Sequence, residues 1–282
     1  MKRLAIAAML FSFTWLSAGC MSHPPAPEPV PPREPVIALA LGGGGAKGFA
    51  HIGVIKVLES HGIRPKIVTG TSAGSFVGAL YASGKTPFQL QDLAMTLQES
   101  DIRDLTLSRQ GFLIGQRLQD YVNQQVDNQP IQQFPIRFAA VATAMDTGRR
   151  TAFNKGNTGQ AVRASCSIPN VFLPAVINGQ RYVDGGLVSP VPVEAAREMG
   201  ADIVIAVDIS ARPGAGKSGI FGILDQTLNI MGLQALQREL AQADVVISPQ
   251  VGSFGVADLE ARHKTLLEGE RAAQAQLAAV QQ

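Results

Sequence analysis

The sequence predicts an α/β fold, a three-layer sandwich with a mostly parallel central sheet. Three observations lead to it. From Val36 onward, short apolar runs of strand length alternate with helical patterns, as parallel strands buried between helical layers require. Two of these runs, Val36 to Leu41 and Lys66 to Thr69, pass straight into glycine-rich turns and then into small-residue helical segments. With 282 residues and 46% hydrophobic content, the chain can bury one substantial core, so one main domain over residues 36–282 is expected.

The first nineteen residues read as a signal. Lys2 and Arg3 precede an apolar stretch from Leu4 to Leu16, and Ser17-Ala18-Gly19 stand before Cys20. A charged start, an apolar span too short for a stable membrane helix and small residues at a cleavage site make that pattern. It resembles a bacterial lipoprotein signal, with Cys20 as the lipidated first residue; the other reading is an ordinary secretory signal cut nearby. The resemblance implies the cell envelope and a membrane reached through the lipid, and Met21 after Cys20 implies the outer membrane. Residues 20–35 follow as a tether: Ser22 to Pro35 is half proline, an extended segment of roughly 40 Å at about 3.1 Å per residue. With Cys20 acylated, Cys166 is the only thiol left and no intramolecular disulfide forms.

The remaining elements follow from local signals. Ala73 to Ser83 is a helix stopped by Gly84, and Thr86-Pro87 cap and open the next, with Leu90, Leu93, Ala94 and Leu97 on its apolar face. Arg137 to Thr143 and Arg149 to Phe153 are strands joined through Asp146-Thr147-Gly148. Ala175 to Ile177 and Gln180 to Val183 flank Asn178-Gly179, a hairpin signal. Pro192 to Met199 is a helix ended by Gly200, followed by the strand Ile203 to Val207, a helix over Ile223 to Ala241 and a last strand, Val245 to Ser248. The tail, Ala257 to Gln282, is helical by composition and needs a partner surface; residues 211–222, rich in small residues, are a lid or a loop.

The chemistry concentrates in the two turns. In Gly70-Thr71-Ser72-Ala73-Gly74 a serine sits on a tight strand-to-helix turn that only small neighbours permit, a nucleophile elbow. The first turn, Gly42-Gly43-Gly44-Gly45-Ala46-Lys47-Gly48, admits three readings. As a dinucleotide fingerprint it lacks the acidic residue after the next strand, and as a P-loop it fails because Gly48 follows Lys47. As an oxyanion loop it works, since consecutive glycines let backbone N–H groups approach a tetrahedral oxygen. Together the turns point to serine acyl hydrolase chemistry with Ser72 as nucleophile. His23, His51, His61 and His263 offer no obvious base. Asp184, in Asp184-Gly185-Gly186, is either that base or a turn aspartate. Cys166 reads as a small packed residue and Asp146 as a turn residue. Phe112-Leu113-Ile114, Val171-Phe172-Leu173 and Ile220 to Leu224 line an acyl pocket, touch a bilayer or pack the core.

The glycine loop, the elbow and Asp184-Gly185-Gly186, in this order, together with Arg163-Ala164-Ser165-Cys166-Ser167-Ile168-Pro169 and Pro190-Val191-Pro192, resemble the patatin-like phospholipase family over about residues 36–205. The resemblance implies a Ser–Asp dyad, with Ser72 as nucleophile, Asp184 as general base and Gly43, Gly44 and Gly45 as the oxyanion hole. Lys47 stands where that family carries Arg or Lys, giving either a solvent role or a contact with an anionic head group. The C-terminal helical region 220–282 lies beyond it. The expected activity is hydrolysis of phospholipid or lysophospholipid esters through an acyl-enzyme, with no cofactor and no metal. A general esterase or thioesterase on small substrates and an idle lipid-binding lipoprotein are the other readings. A net charge of +2 gives no argument for nucleic acid, and nothing in the sequence names a protein partner.

Overall fold

Eight strands form one sheet in the computed structural model, which describes residues 33–106, 108, 110–210, 219–255 and 257–280. The signal segment, Cys20, the tether through residue 32 and residues 211–218 of the lid-or-loop region lie outside the described residues. The strands are β1 (Ile37–Leu41), β2 (Ile67–Thr71), β3 (Arg137–Ala144), β4 (Arg150–Phe153), β5 (Ala175–Ile177), β6 (Gln180–Asp184), β7 (Ile203–Val207) and β8 (Val245–Ile247). Their order is β5-β6-β3-β2-β1-β7-β8, with β4 also on β3. Neighbours from β3 to β8 run parallel, while β4 and β6 are antiparallel to β3 and β5 is antiparallel to β6.

Nine helices are described: α1 (Phe49–Ser60), α2 (Ala73–Ala82), α3 (Pro87–Thr96), α4 (Glu99–Ile102), α5 (Gln116–Gln125), α6 (Thr158–Ser165), α7 (Val193–Glu198), α8 (Gly219–Leu240) and α9 (Arg262–Val280). Alternation along the strands assigns them to two layers. Leu39, Leu41, Val68, Ile205 and Val207 pack with residues of α1, α2, α3, α5, α6 and α9. Ala38, Ala40, Ile67, Val204 and Ala206 pack with Val193 and Ala196 of α7 and Leu236 of α8. Burial on both faces explains why β1 is apolar at every position.

Most expected elements form within two or three residues of their expected ends. Thr86 and Gln89 make a reciprocal capping box at α3, and Asn178 and Gly179 take positive φ, 50° and 78°, in the β5–β6 turn. The tail finds its surface on α1. A Cβ on Gly53 would fall 2.1 Å from Leu266 O, and one on Gly269 2.0 Å from Ala50 O, so glycines let the two backbones touch. Three helices escape the local reading, α4, α5 and α6. The buried apolar positions of the two longer ones, Leu118 and Val122 on α5 and Ala161, Val162 and Ala164 on α6, are few and set among polar residues.

Candidate active site

The elbow forms where β2 ends and α2 begins. Ser72 lies between them at φ 52° and ψ −122°, a left-handed conformation that non-glycine residues rarely adopt. It is held there from both sides. The Ser72 N–H donates to Ser165 Oγ at 2.9 Å, and Ser165 Oγ donates to Val141 O. The Ser72 carbonyl accepts from the Ser75 N–H at 2.8 Å and its hydroxyl at 2.7 Å. The flanking glycines are obligatory: a Cβ on Gly70 would lie 2.4 Å from Gly74 O, and one on Gly74 2.1 Å from Leu41 O. Gly74→Ala is therefore expected to cost at least about 3 kcal/mol, read as a lowered denaturation midpoint.

The glycine loop crosses the elbow, with Gly43 Cα close enough that a Cβ would come 3.3 Å from Ser72 Cβ. One part of the expected oxyanion hole is corrected: the Gly43 N–H donates to Pro190 O at 3.0 Å, so it is engaged within the fold. Gly44 and Gly45 open a short 3-10 turn, Gly45–Gly48, whose first N–H groups have no partner inside the helix. Lys47 is corrected as well. Its side chain is fully buried and is not part of the cavity lining, which rules out a solvent-facing role and leaves no support for a head-group contact. His51 is buried too; its Nε2 donates to Gly42 O at 2.8 Å, and burial lowers its pKa to about 4, so it stays neutral and fixes the loop.

Asp184 ends β6. Its N–H donates to Ser167 O at 2.9 Å, its carbonyl accepts from Thr143 Oγ1 at 2.8 Å, and its Oδ1 accepts from the Gly186 N–H at 2.7 Å. Gly185 allows the following turn to press on β3, because a Cβ there would fall 2.2 Å from Val141 O. Asp184 Oδ2 is buried without a hydrogen-bond partner. Burial pushes the carboxyl up to about 6, against the Ser72 hydroxyl and the Gly186 N–H, which pull it down. A value of about 6 leaves the acid mostly ionised at neutral pH, with Oδ2 outside strict hydrogen-bond geometry and the Ser72 hydroxyl close enough to lower its pKa.

Ser72, Asp184 and the glycine loop open onto one cavity of about 410 Å³. Its walls are mostly apolar, with Phe76, Leu105, Phe112, Leu113, Val171 and Phe172 among them and Gly232 and Leu236 contributed by α8. Two of the three apolar groups seen in the sequence therefore reach the cavity. In the third, Ile223 is exposed, and the side chains of 220, 221, 222 and 224 are outside the described residues. Cys166 also lines the cavity, yet burial and then the Asp184 charge push its thiol up to about 12, so it remains protonated. Asp146 sits in the β3–β4 turn, paired with Arg181. His61 bonds Val57 O and His263 is exposed on α9, while His23 lies outside the described residues.

Sequence reasoning missed Ser165 and the residues around Ser189 as supports of the site. Their partners lie 93 and 118 positions away, at Ser72 and Thr71, and the motifs in which these residues stand do not show what they bond. Among the described residues, no group of three His, Cys, Asp or Glu side chains gathers as a metal ion would need, and no helix is long and apolar enough to cross a membrane.

A profile of the family described as "Patatin-like phospholipase" matches residues 39–197. An uncharacterised NTE family protein of Mycobacterium tuberculosis is 36% identical over 179 residues, 63% of this chain and 50% of that protein. Lysophospholipase NTE1 of Coccidioides immitis is 35% identical over 181 residues, 62% of this chain and 12% of that protein. This chain thus spans half the length of the mycobacterial relative and a much smaller share, 12%, of the fungal one. The crystal structure of VipD from Legionella pneumophila superposes with a TM-score of 0.63 at 15% identity, over 88% of this chain and 67% of that one, a likeness of fold.

Proposed function

This chain belongs to the patatin-like phospholipase family, and from that premise we propose that it is a lipid acyl hydrolase acting on phospholipid or lysophospholipid esters. The observation that carries the reading is the meeting, at one end of an apolar cavity, of a strained serine and a buried carboxylate with an unengaged oxygen. Ser72 Oγ attacks the ester carbonyl carbon and its proton passes to Asp184 Oδ2. The tetrahedral oxyanion is received by the N–H groups of Gly44 and Gly45, pre-aligned donors of the kind whose loss typically costs about 10²–10³ in rate. Collapse breaks the ester C–O bond, and the leaving alcohol takes the proton from Asp184. Asp184 then takes a proton from water as it attacks the acyl-enzyme carbonyl; collapse breaks the bond to Ser72 Oγ, which takes that proton from Asp184, and the fatty acid is released.

The apolar walls suit an acyl chain. The lipidated Cys20 and an outer-membrane address belong to the same proposal, since an anchor would hold the enzyme where its substrate is concentrated. The test is incubation of the purified chain with phosphatidylcholine vesicles, with lysophosphatidylcholine and with a short-chain p-nitrophenyl ester, followed by mass spectrometry of the products. Free fatty acid from either lipid is expected. Turnover of the short ester alone would replace the reading with a general esterase, and no turnover of any substrate by folded protein would favour a binding protein.

A further inference from the structure

A carboxylate remote from the reacting atoms ties the cavity wall to every part of the site. Glu239 of α8 is 3% exposed and lies among residues of the α7–α8 layer. Its Oε1 accepts from the Ser189 hydroxyl, and its Oε2 accepts from the Glu194 backbone N–H at 2.8 Å. A carboxylate buried this deeply is costly unless hydrogen-bonded. Burial raises its pKa above the ordinary range, against the pull of those two donors.

The strip that Glu239 grips, residues 189–194, is bonded on its other side to the whole apparatus. The Ser189 carbonyl accepts from Thr71 Oγ1 at 2.8 Å, next to Ser72. The Pro190 carbonyl accepts from the Gly43 N–H at 3.0 Å, in the glycine loop. The Ser189 N–H donates to Gly185 O at 2.9 Å, one residue after Asp184. The Pro192 carbonyl accepts from Thr69 Oγ1 at 2.8 Å. Meanwhile α8 supplies Asn229, Gly232 and Leu236 to the cavity wall.

We propose that Glu239 is a positioning residue: by seating α8 on Ser189 and Glu194 it holds the 189–194 strip against the glycine loop, so that the wall of the cavity and the alignment of the oxyanion donors are set together. The inference rests on the catalytic reading of Ser72 and the glycine loop and deepens it. Its consequence is chemical. When the strip loosens, Pro190 O no longer fixes the Gly43 peptide, and the N–H groups of Gly44 and Gly45 lose their aim. Every ester passes through the same oxyanion, so the loss falls on kcat and is alike for short and long acyl chains.

The experiment measures kcat and KM of the full chain on p-nitrophenyl butyrate and on p-nitrophenyl palmitate in mixed micelles, with thermal unfolding beside them, for wild type, Glu239→Gln, Ser189→Ala, the double variant and Ser72→Ala. Glutamine keeps the size of the side chain but cannot accept from both donors. Expected is an approximately 10-fold fall in kcat in each single variant on both esters, KM within about twofold, and a double variant no worse than the worse single one, as residues acting through one bond behave. Unchanged kcat with a lower Tm, a KM effect confined to palmitate, or additive losses would each overturn the proposal. Should Glu239→Gln fail to fold, Ser189→Ala removes the same hydrogen bond from the other side and decides alone. Hydrolysis that survives Ser72→Ala overturns the catalytic reading and this inference with it; unchanged kcat in Glu239→Gln beside an inactive Ser72→Ala overturns this inference only.

Discussion

Ser72→Ala is expected to lower ester hydrolysis by at least about 10⁴-fold, since removal of a covalent nucleophile leaves only the contribution of the oxyanion donors and substrate binding. The fold should survive the change. The contacts that hold Ser72 in its strained conformation are made by its own backbone N–H and carbonyl, to Ser165 and Ser75, and alanine keeps both groups. Alanine at φ 52° pays a steric penalty similar to that of serine. Initial rates, with circular dichroism as the check on folding, read the effect. A variant that is folded and retains more than about a hundredth of the wild-type rate is incompatible with Ser72 as the nucleophile.

Asp184→Asn is expected to lower kcat/KM by about 10³-fold, within the range that loss of a general base commonly produces, and at the same time to stabilise the protein. The two effects share one cause. Burial raises the carboxyl from 3.8 to about 6 in the folded chain, so folding disfavours its charge. The sign follows from linkage: a raised folded-state pKa contributes stability that is fully present below about pH 4 and is lost as pH rises through about 6. At pH 8 the ionised acid thus costs on the order of 2–3 kcal/mol. Asparagine keeps an oxygen for the Gly186 N–H and carries no charge, and the variant's Tm should rise by roughly 5 °C at pH 8 and by little at pH 4. The wild-type rate should climb through pH 6 to a plateau above about pH 7, and the residual rate of Asp184→Asn should lack that step. A variant no more stable than wild type at pH 8 would overturn the raised pKa, and a wild-type profile flat between pH 5 and pH 7 would separate Asp184 from the base.

The reach of local sequence signals differed from element to element. Strands buried on both faces are apolar, which made β1 and β7 legible, while β2 showed itself through Ile67 and Val68 running into the elbow glycine, and Asn178-Gly179 announced its hairpin through the positive φ that both residues adopt. The elbow was legible because close backbone approach leaves glycine as the residue that fits at 70 and 74. Helices α5 and α6 were not, since they hold their places through tertiary contacts and present few apolar positions. Lys47 misled because a lysine in a glycine loop suggests solvent or an anion, whereas its turn packs against α1, α2 and α9 and the side chain is fully buried.

By itself, then, the sequence determined the layered α/β architecture, the two glycine turns and the residue types able to perform acyl transfer, because strand apolarity, turn sterics and motif order are properties of neighbouring residues. Only the tertiary structure decided which glycine N–H groups stay available, that Asp184 Oδ2 is buried without a partner beside Ser72, that Ser165 clamps the elbow, and that Glu239 grips the strip behind the glycine loop. Each of those depends on a hydrogen bond, or the lack of one, between positions far apart in the chain, and such pairs become neighbours only when the sheet brings its strand ends together.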